Sequence, residues 1–104
     1  MGNEQKIGLG KVLILDENES RAQLVSHLLA FVGQECEIVS AQSFADKCAE
    51  EESIMACVVG ALKNANHEGV VASQPAIPFL VLGETLKYLF DKKNVIGLLT
   101  EPFS

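Results

Sequence analysis

Val12-Leu13-Ile14-Leu15-Asp16-Glu17 is a run of four branched apolar residues that stops at two carboxylates. Its apolar positions are consecutive rather than alternate, which marks a strand covered on both faces. With Lys11 it forms a buried strand over 11–15. Asp16 to Ser20 is polar, and either Asn18 or Ser20 can cap a helix. From Arg21 onward, Leu24, Val25, Leu28, Leu29 and Val32 fall on one helical stripe. Gly33 follows at once and suits the left-handed residue that closes many helices.

The same alternation continues downstream. Residues 36–40 mix apolar and polar positions, as a half-covered edge strand does. Residues 43–51 carry a weaker helical pattern with Phe44, Cys48 and Ala45 inward. Ile54 to Gly60 is nearly all apolar and reads as a central parallel strand. Residues 61–75 are the least regular, with a short helix over 67–73. Residues 78–83 form another buried strand. Residues 84–93 form a short helix with Leu86, Leu89 and Phe90 inward, and residues 95–100 a fifth strand. Strand and helix in alternation imply right-handed crossovers and a parallel sheet covered on both faces. The predicted fold is an α/β three-layer sandwich of the flavodoxin-like (CheY-like) kind, with five parallel strands in the order 2-1-3-4-5.

Composition bounds the function. A chain of 104 residues is one domain with a single core. An apolar fraction of 48% argues for a folded globule. No apolar run is long enough to span a membrane, and residues 1–10 lack the apolar centre of a signal peptide. They read as a loose lead-in, and a cytoplasmic location is expected. The net charge of −6 speaks against nucleic-acid binding by this chain, since that affinity rests on Lys and Arg neutralising phosphates. Cys36, Cys48 and Cys57 show no zinc or disulfide spacing, and Cys57 lies in an apolar strand as a small core residue. No cofactor is expected.

Two further strings give the chain its resemblance. Ala56-Cys57-Val58-Val59-Gly60 is a strand ending in glycine, and Ile96-Gly97-Leu98-Leu99-Thr100-Glu101-Pro102-Phe103 is a strand ending in Glu-Pro-Phe. Together with Val12–Glu17 they resemble the receiver domain of bacterial response regulators. That family holds a magnesium ion with two acids after the first strand, and Asp16 and Glu17 match them. The aspartate that accepts the phosphoryl group is replaced by Gly60, the Ser or Thr after the fourth strand by Gly83, and the Lys before the proline by Glu101. Within the receivers, Phe31-Val32-Gly33-Gln34-Glu35-Cys36-Glu37 and Pro78-Phe79-Leu80-Val81-Leu82-Gly83-Glu84 resemble the N-terminal domain of sigma-54-dependent flagellar master activators. The resemblance implies a regulatory domain attached to an ATPase module and a DNA-binding domain. The alternative is a stand-alone adaptor that docks a signalling partner.

Phosphoryl transfer needs a nucleophile and cations that offset the phosphoryl charge. Gly60 supplies no nucleophile, and Glu101 puts an anion where a lysine is needed. The pocket therefore reads as three carboxylates with no fixed positive charge. Asp16 and Glu17 are then helix-start acids in a solvated loop, a weak divalent-cation site or part of a contact surface. No hydrolase triad can be assembled, because Ser26 and His27 are adjacent on a helix and do not face each other. His67 reads as solvated, and Glu50-Glu51-Glu52 as a solvated helix end.

Self-association is expected as well. Receivers carry a fifth helix after the Pro-Phe, and the sequence stops at Ser104. The apolar faces of residues 24–32 and 95–100 would then be left for a second copy to cover. The other candidate interface is the helix over 84–93 with the fifth strand, through Tyr88, Leu89, Ile96, Leu98 and Phe103.

Overall fold

The computed structural model describes residues 10–51, 53–63 and 65–100. Within them, five strands run β1 (Lys11–Leu15), β2 (Cys36–Ile38), β3 (Ile54–Val59), β4 (Phe79–Leu82) and β5 (Val95–Leu99). They form one sheet in the order β2-β1-β3-β4-β5, and every pairing is parallel. Between them lie α1 (Glu19–Phe31), α2 (Ala41–Glu50), α3 (His67–Ser73) and a 3-10 helix at Glu84–Asp91. The flavodoxin-like order expected from alternation is the one observed. Residues 1–9 of the expected loose lead-in fall outside the described residues, as do Glu101 and Phe103.

The helix starts follow from capping chemistry. Asn18 accepts the backbone N–H of Arg21, Ser40 that of Ser43, and Asn66 that of Gly69. Each satisfies one of the donors that a first turn leaves without a partner. The cap at Ser40 starts α2 ahead of the expected residue 43. Gly33 closes α1 with φ of +83°, in the left-handed region.

Alternate residues of the central strands feed two cores. Leu13, Leu15, Cys57, Val59, Phe79 and Val81 face α2, α3 and the 3-10 helix, with Phe44, Val71, Leu86 and Leu89 packed against them. Phe44 and Phe79 meet edge-to-face, with ring centroids 6.2 Å apart. On the other side Val12, Ile14, Ala56, Val58 and Leu82 pack under Ala22 and Val25 of α1.

Several expected contacts differ. Helix α1 buries Ala22 and Val25 and half-buries Leu29, while Leu24, Leu28 and Val32 are exposed, as is Phe31 at 90%. The single stripe read from the sequence is two: residues 22, 25 and 29 face the sheet, and 24, 28 and 31 lie about a third of a turn away. Ala45 and Phe90 are exposed, not inward. In the candidate interface, Tyr88 is exposed, but Leu89 is fully buried and Leu98 packs against the larger core. Both therefore leave the surface set. The β4–β5 register steps from Phe79↔Val95 to Leu80↔Gly97. Ile96 is skipped and stands 63% exposed.

At the N-terminal end of the sheet, Lys11 Nζ donates to Glu37 at 3.0 Å and Glu51 at 3.1 Å, and Lys47 reaches Glu37 at 3.1 Å. This network ties β1, β2 and the end of α2 together. It corrects the reading of Glu51 as a solvated helix end. Charges distant in sequence converge here because parallel strands start at the same edge.

Candidate functional site

The fold places function at the carboxyl ends of the strands, where Asp16, Glu17, Gly60 and Gly83 stand. Asp16 follows β1 directly, and its side chain has no exposed surface. Arg21, from the first turn of α1, holds it with two contacts: Nε to Oδ2 at 2.5 Å and Nη2 to Oδ1 at 3.1 Å. Oδ1 also accepts the backbone N–H groups of Asn18 at 3.0 Å and Ala61 at 3.1 Å. With four donors on two oxygens, the carboxylate is close to saturated. Asp16 is therefore not a solvated helix-start acid. Nor does the pocket lack a fixed positive charge: Arg21 supplies one, buried but for 15% of its side chain.

Gly60 explains how the guanidinium gets there. A Cβ at position 60 would lie 2.6 Å from Asp16 Cγ and 2.9 Å from Arg21 Nη2. Both distances are inside van der Waals contact, so the Asp16–Arg21 pair occupies the space that a side chain on residue 60 would need. Glu17 turns the other way. It is exposed, and its Oε1 accepts the N–H of Lys63 at 2.9 Å. The two carboxylates thus part rather than converge. Among the described residues no cluster of His, Cys, Asp or Glu is arranged to hold a metal.

The loop after β1 is stapled to the loop after β3. Glu17 N–H donates to Ala61 O, and Gly60 N–H to Leu15 O, both at 2.8 Å. His67, the first residue of α3, is half-buried, with Nε2 2.6 Å from Gly60 O. In that bond Nε2–H donates, which corrects the reading of His67 as solvated. Beside these groups lies a surface pocket of about 210 Å³, lined among others by Arg21, Gly60, His67, Gly83 and Thr85. Gly83 has φ of +105°, so its backbone disfavours a side chain even though space is open around it. Cys57, three residues before Gly60, is fully buried, and that burial pushes its thiol far up.

The sequence reading missed Arg21 and His67. Arg21 did leave a signal: a cation in a helix's first turn opposes the helix dipole, and one placed five residues after a strand-end aspartate has a partner within reach.

A family model, the flagellar regulatory protein FleQ, matches residues 11–104. The chain belongs to the FleQ family. It is a receiver-like domain of FleQ type, and solved structures agree on the fold. Full-length FixJ from B. japonicum superposes with a TM-score of 0.75 at 19% identity, over 92% of this chain and 52% of that one. The present chain thus spans about half the length of FixJ. The chemotaxis response regulator CheY4 of Vibrio cholerae gives 0.74 at 21% identity, covering 93% and 90%. The receiver domain of the sensor histidine kinase PA1611 from Pseudomonas aeruginosa PAO1, with magnesium coordinated in its active-site cleft, gives 0.70 at 16%, covering 91% and 87%. No curated protein matches the chain. Among the described residues, no helix is long and apolar enough to cross a membrane.

Proposed function

We propose that this domain is a receiver-like regulator that accepts no phosphoryl group and works by contact. It controls the assembly or activity of the ATPase and DNA-binding domains of a cytoplasmic sigma-54-dependent flagellar activator. The observation that carries the reading is Gly60 set against the Asp16–Arg21 pair. The position that would carry a nucleophile has neither a side chain nor room for one. The PA1611 receiver domain holds magnesium in its cleft. Here the donor set does not fit that ion: both oxygens of Asp16 already accept N–H donors, three on Oδ1 and one on Oδ2, and Glu17 is turned onto Lys63. In this reading the domain makes its contacts through exposed apolar surface and pairs with a second copy, binding no nucleic acid itself.

Intact-mass measurement after incubation with acetyl phosphate and magnesium tests the central claim. The expected spectrum is unchanged. A one-phosphoryl adduct labile to hydroxylamine overturns the reading. A reading frame that continues into a Walker-type glycine-rich loop separates the attached regulator from a stand-alone adaptor.

A further inference from the structure

We propose that Arg21 is a resident cation. Its guanidinium occupies the place of an ion in the Asp16–Gly60 pocket, so that the state of the pocket is set by the fold and does not respond to divalent cations. The inference deepens the reading above, since it assigns a regulation, or the lack of one, to the same pocket.

A carboxylate without exposed surface needs a compensating charge, because burying an unpaired ion strips it of hydration that nothing replaces. Asp16 is such a group, and Arg21 is bound to both of its oxygens. The guanidinium is placed in a helix's first turn, where a cation is disfavoured by the dipole. Pairing with Asp16 offsets that cost. Position 60 is coupled to the same device: its missing side chain leaves room for Nη2, which a Cβ would approach to 2.9 Å. The pair also accounts for the order around it. Asp16 Oδ1 holds the N–H of Ala61, so a guanidinium fixed on α1 orients the carboxylate that staples the loop after β3. A pocket that contains its own cation has one charge state. It neither gains nor loses an ion when divalent concentration changes, and the loops tied to it stay in one arrangement.

The test compares thermal unfolding and manganese binding, the latter by water-proton relaxation, in the native chain and its variants at matched ionic strength. The native chain is expected to show no melting shift with magnesium or manganese at millimolar concentration. Arg21→Ala leaves Asp16 without its cation. It is expected to melt lower, to regain stability as manganese is added, and to bind manganese about tenfold or more tightly than the native chain, a gain of only about 1.4 kcal/mol. Adding Asp16→Asn should abolish that response, and Arg21→Lys, which keeps a charge, should not show it. If Arg21→Ala does not fold, Arg21→Gln supplies the folded case, because it retains a donor without the charge. A folded Arg21→Ala or Arg21→Gln chain indifferent to manganese overturns the proposal. So does a native chain whose melting responds to manganese through Asp16. Neither result touches the phosphorylation reading, which falls only if the native chain acquires the acyl phosphate.

Discussion

Arg21 and Gly60 act as one unit although they lie on different elements. Removing one partner of a buried pair leaves the other charge uncompensated, at a cost of about 3–5 kcal/mol. Arg21→Ala is therefore expected to lower unfolding free energy by that amount in urea titration. A paired change to apolar residues of similar volume, Asp16→Leu with Arg21→Met, should recover only part of it: no orphan charge remains, but the N–H groups of Asn18 and Ala61 lose their acceptor. Gly60→Asp alone is not expected to restore phosphorylation. Its Cβ would meet the Asp16 carboxyl at 2.6 Å, and the sequence has Glu101 where the receivers it resembles carry a lysine. Intact mass after acetyl phosphate treatment checks this, and ready stable labelling of the single variant would contradict it.

At the scale of elements, the two cores differ in what holds them. The larger one rests on Phe44 of α2 against Phe79 of β4. Phe44→Ala should cost about 3–5 kcal/mol. Phe90→Ala, in the 3-10 helix and 50% exposed, should stay within about 0.5 kcal/mol. Equal losses would mean that the 3-10 helix presents a different face to the sheet. The Lys11–Glu37 contact joins β1 to the edge strand. The hydrogen bond from Lys11, with a second from Lys47, holds the Glu37 carboxyl below its ordinary value of 4.5. A depressed carboxyl stabilises the fold fully above its unfolded value, and the contribution is lost as pH falls through the lower folded value. Glu37→Gln should therefore flatten the stability profile on the acid side of about pH 4.5 and leave it nearly parallel to the native one at neutral pH. Melting temperature as a function of pH is the measurement.

At the scale of the molecule, the outer face of α1 stands out. Leu24, Leu28, Phe31 and Val32 are exposed, and from Ser20 to Val32 the one formally charged residue, Arg21, is bound to Asp16. In a chain of net charge −6, a face free of exposed full charges is where a second copy can approach without acid meeting acid. Sedimentation at micromolar concentration is expected to show a dimer. Leu28→Gln with Phe31→Gln should return it to monomer if α1 is the contact, and Tyr88→Ser with Ile96→Ser if the 3-10 helix and β5 are. A native chain that sediments as a monomer would remove self-association from the proposed function.

What the amino-acid order alone determined was the framework. Runs of consecutive apolar residues such as 12–15 and 56–59, too short for a helix and rich in branched side chains, favour a strand covered on both faces, and their alternation with capped helices leaves few topologies. The absence of a nucleophile at Gly60 was equally legible, because a missing side chain is a local fact. The charge of the pocket was not. Asp16 and Arg21 read in sequence as a loop acid and a helix-start base, and only the close approach of β3, with no Cβ at residue 60, turns them into a buried pair. The second stripe on α1 and the outward turn of Phe90 were hidden for a related reason. Helical periodicity says which side chains share a face, but which face meets the sheet is decided by the packing of the whole.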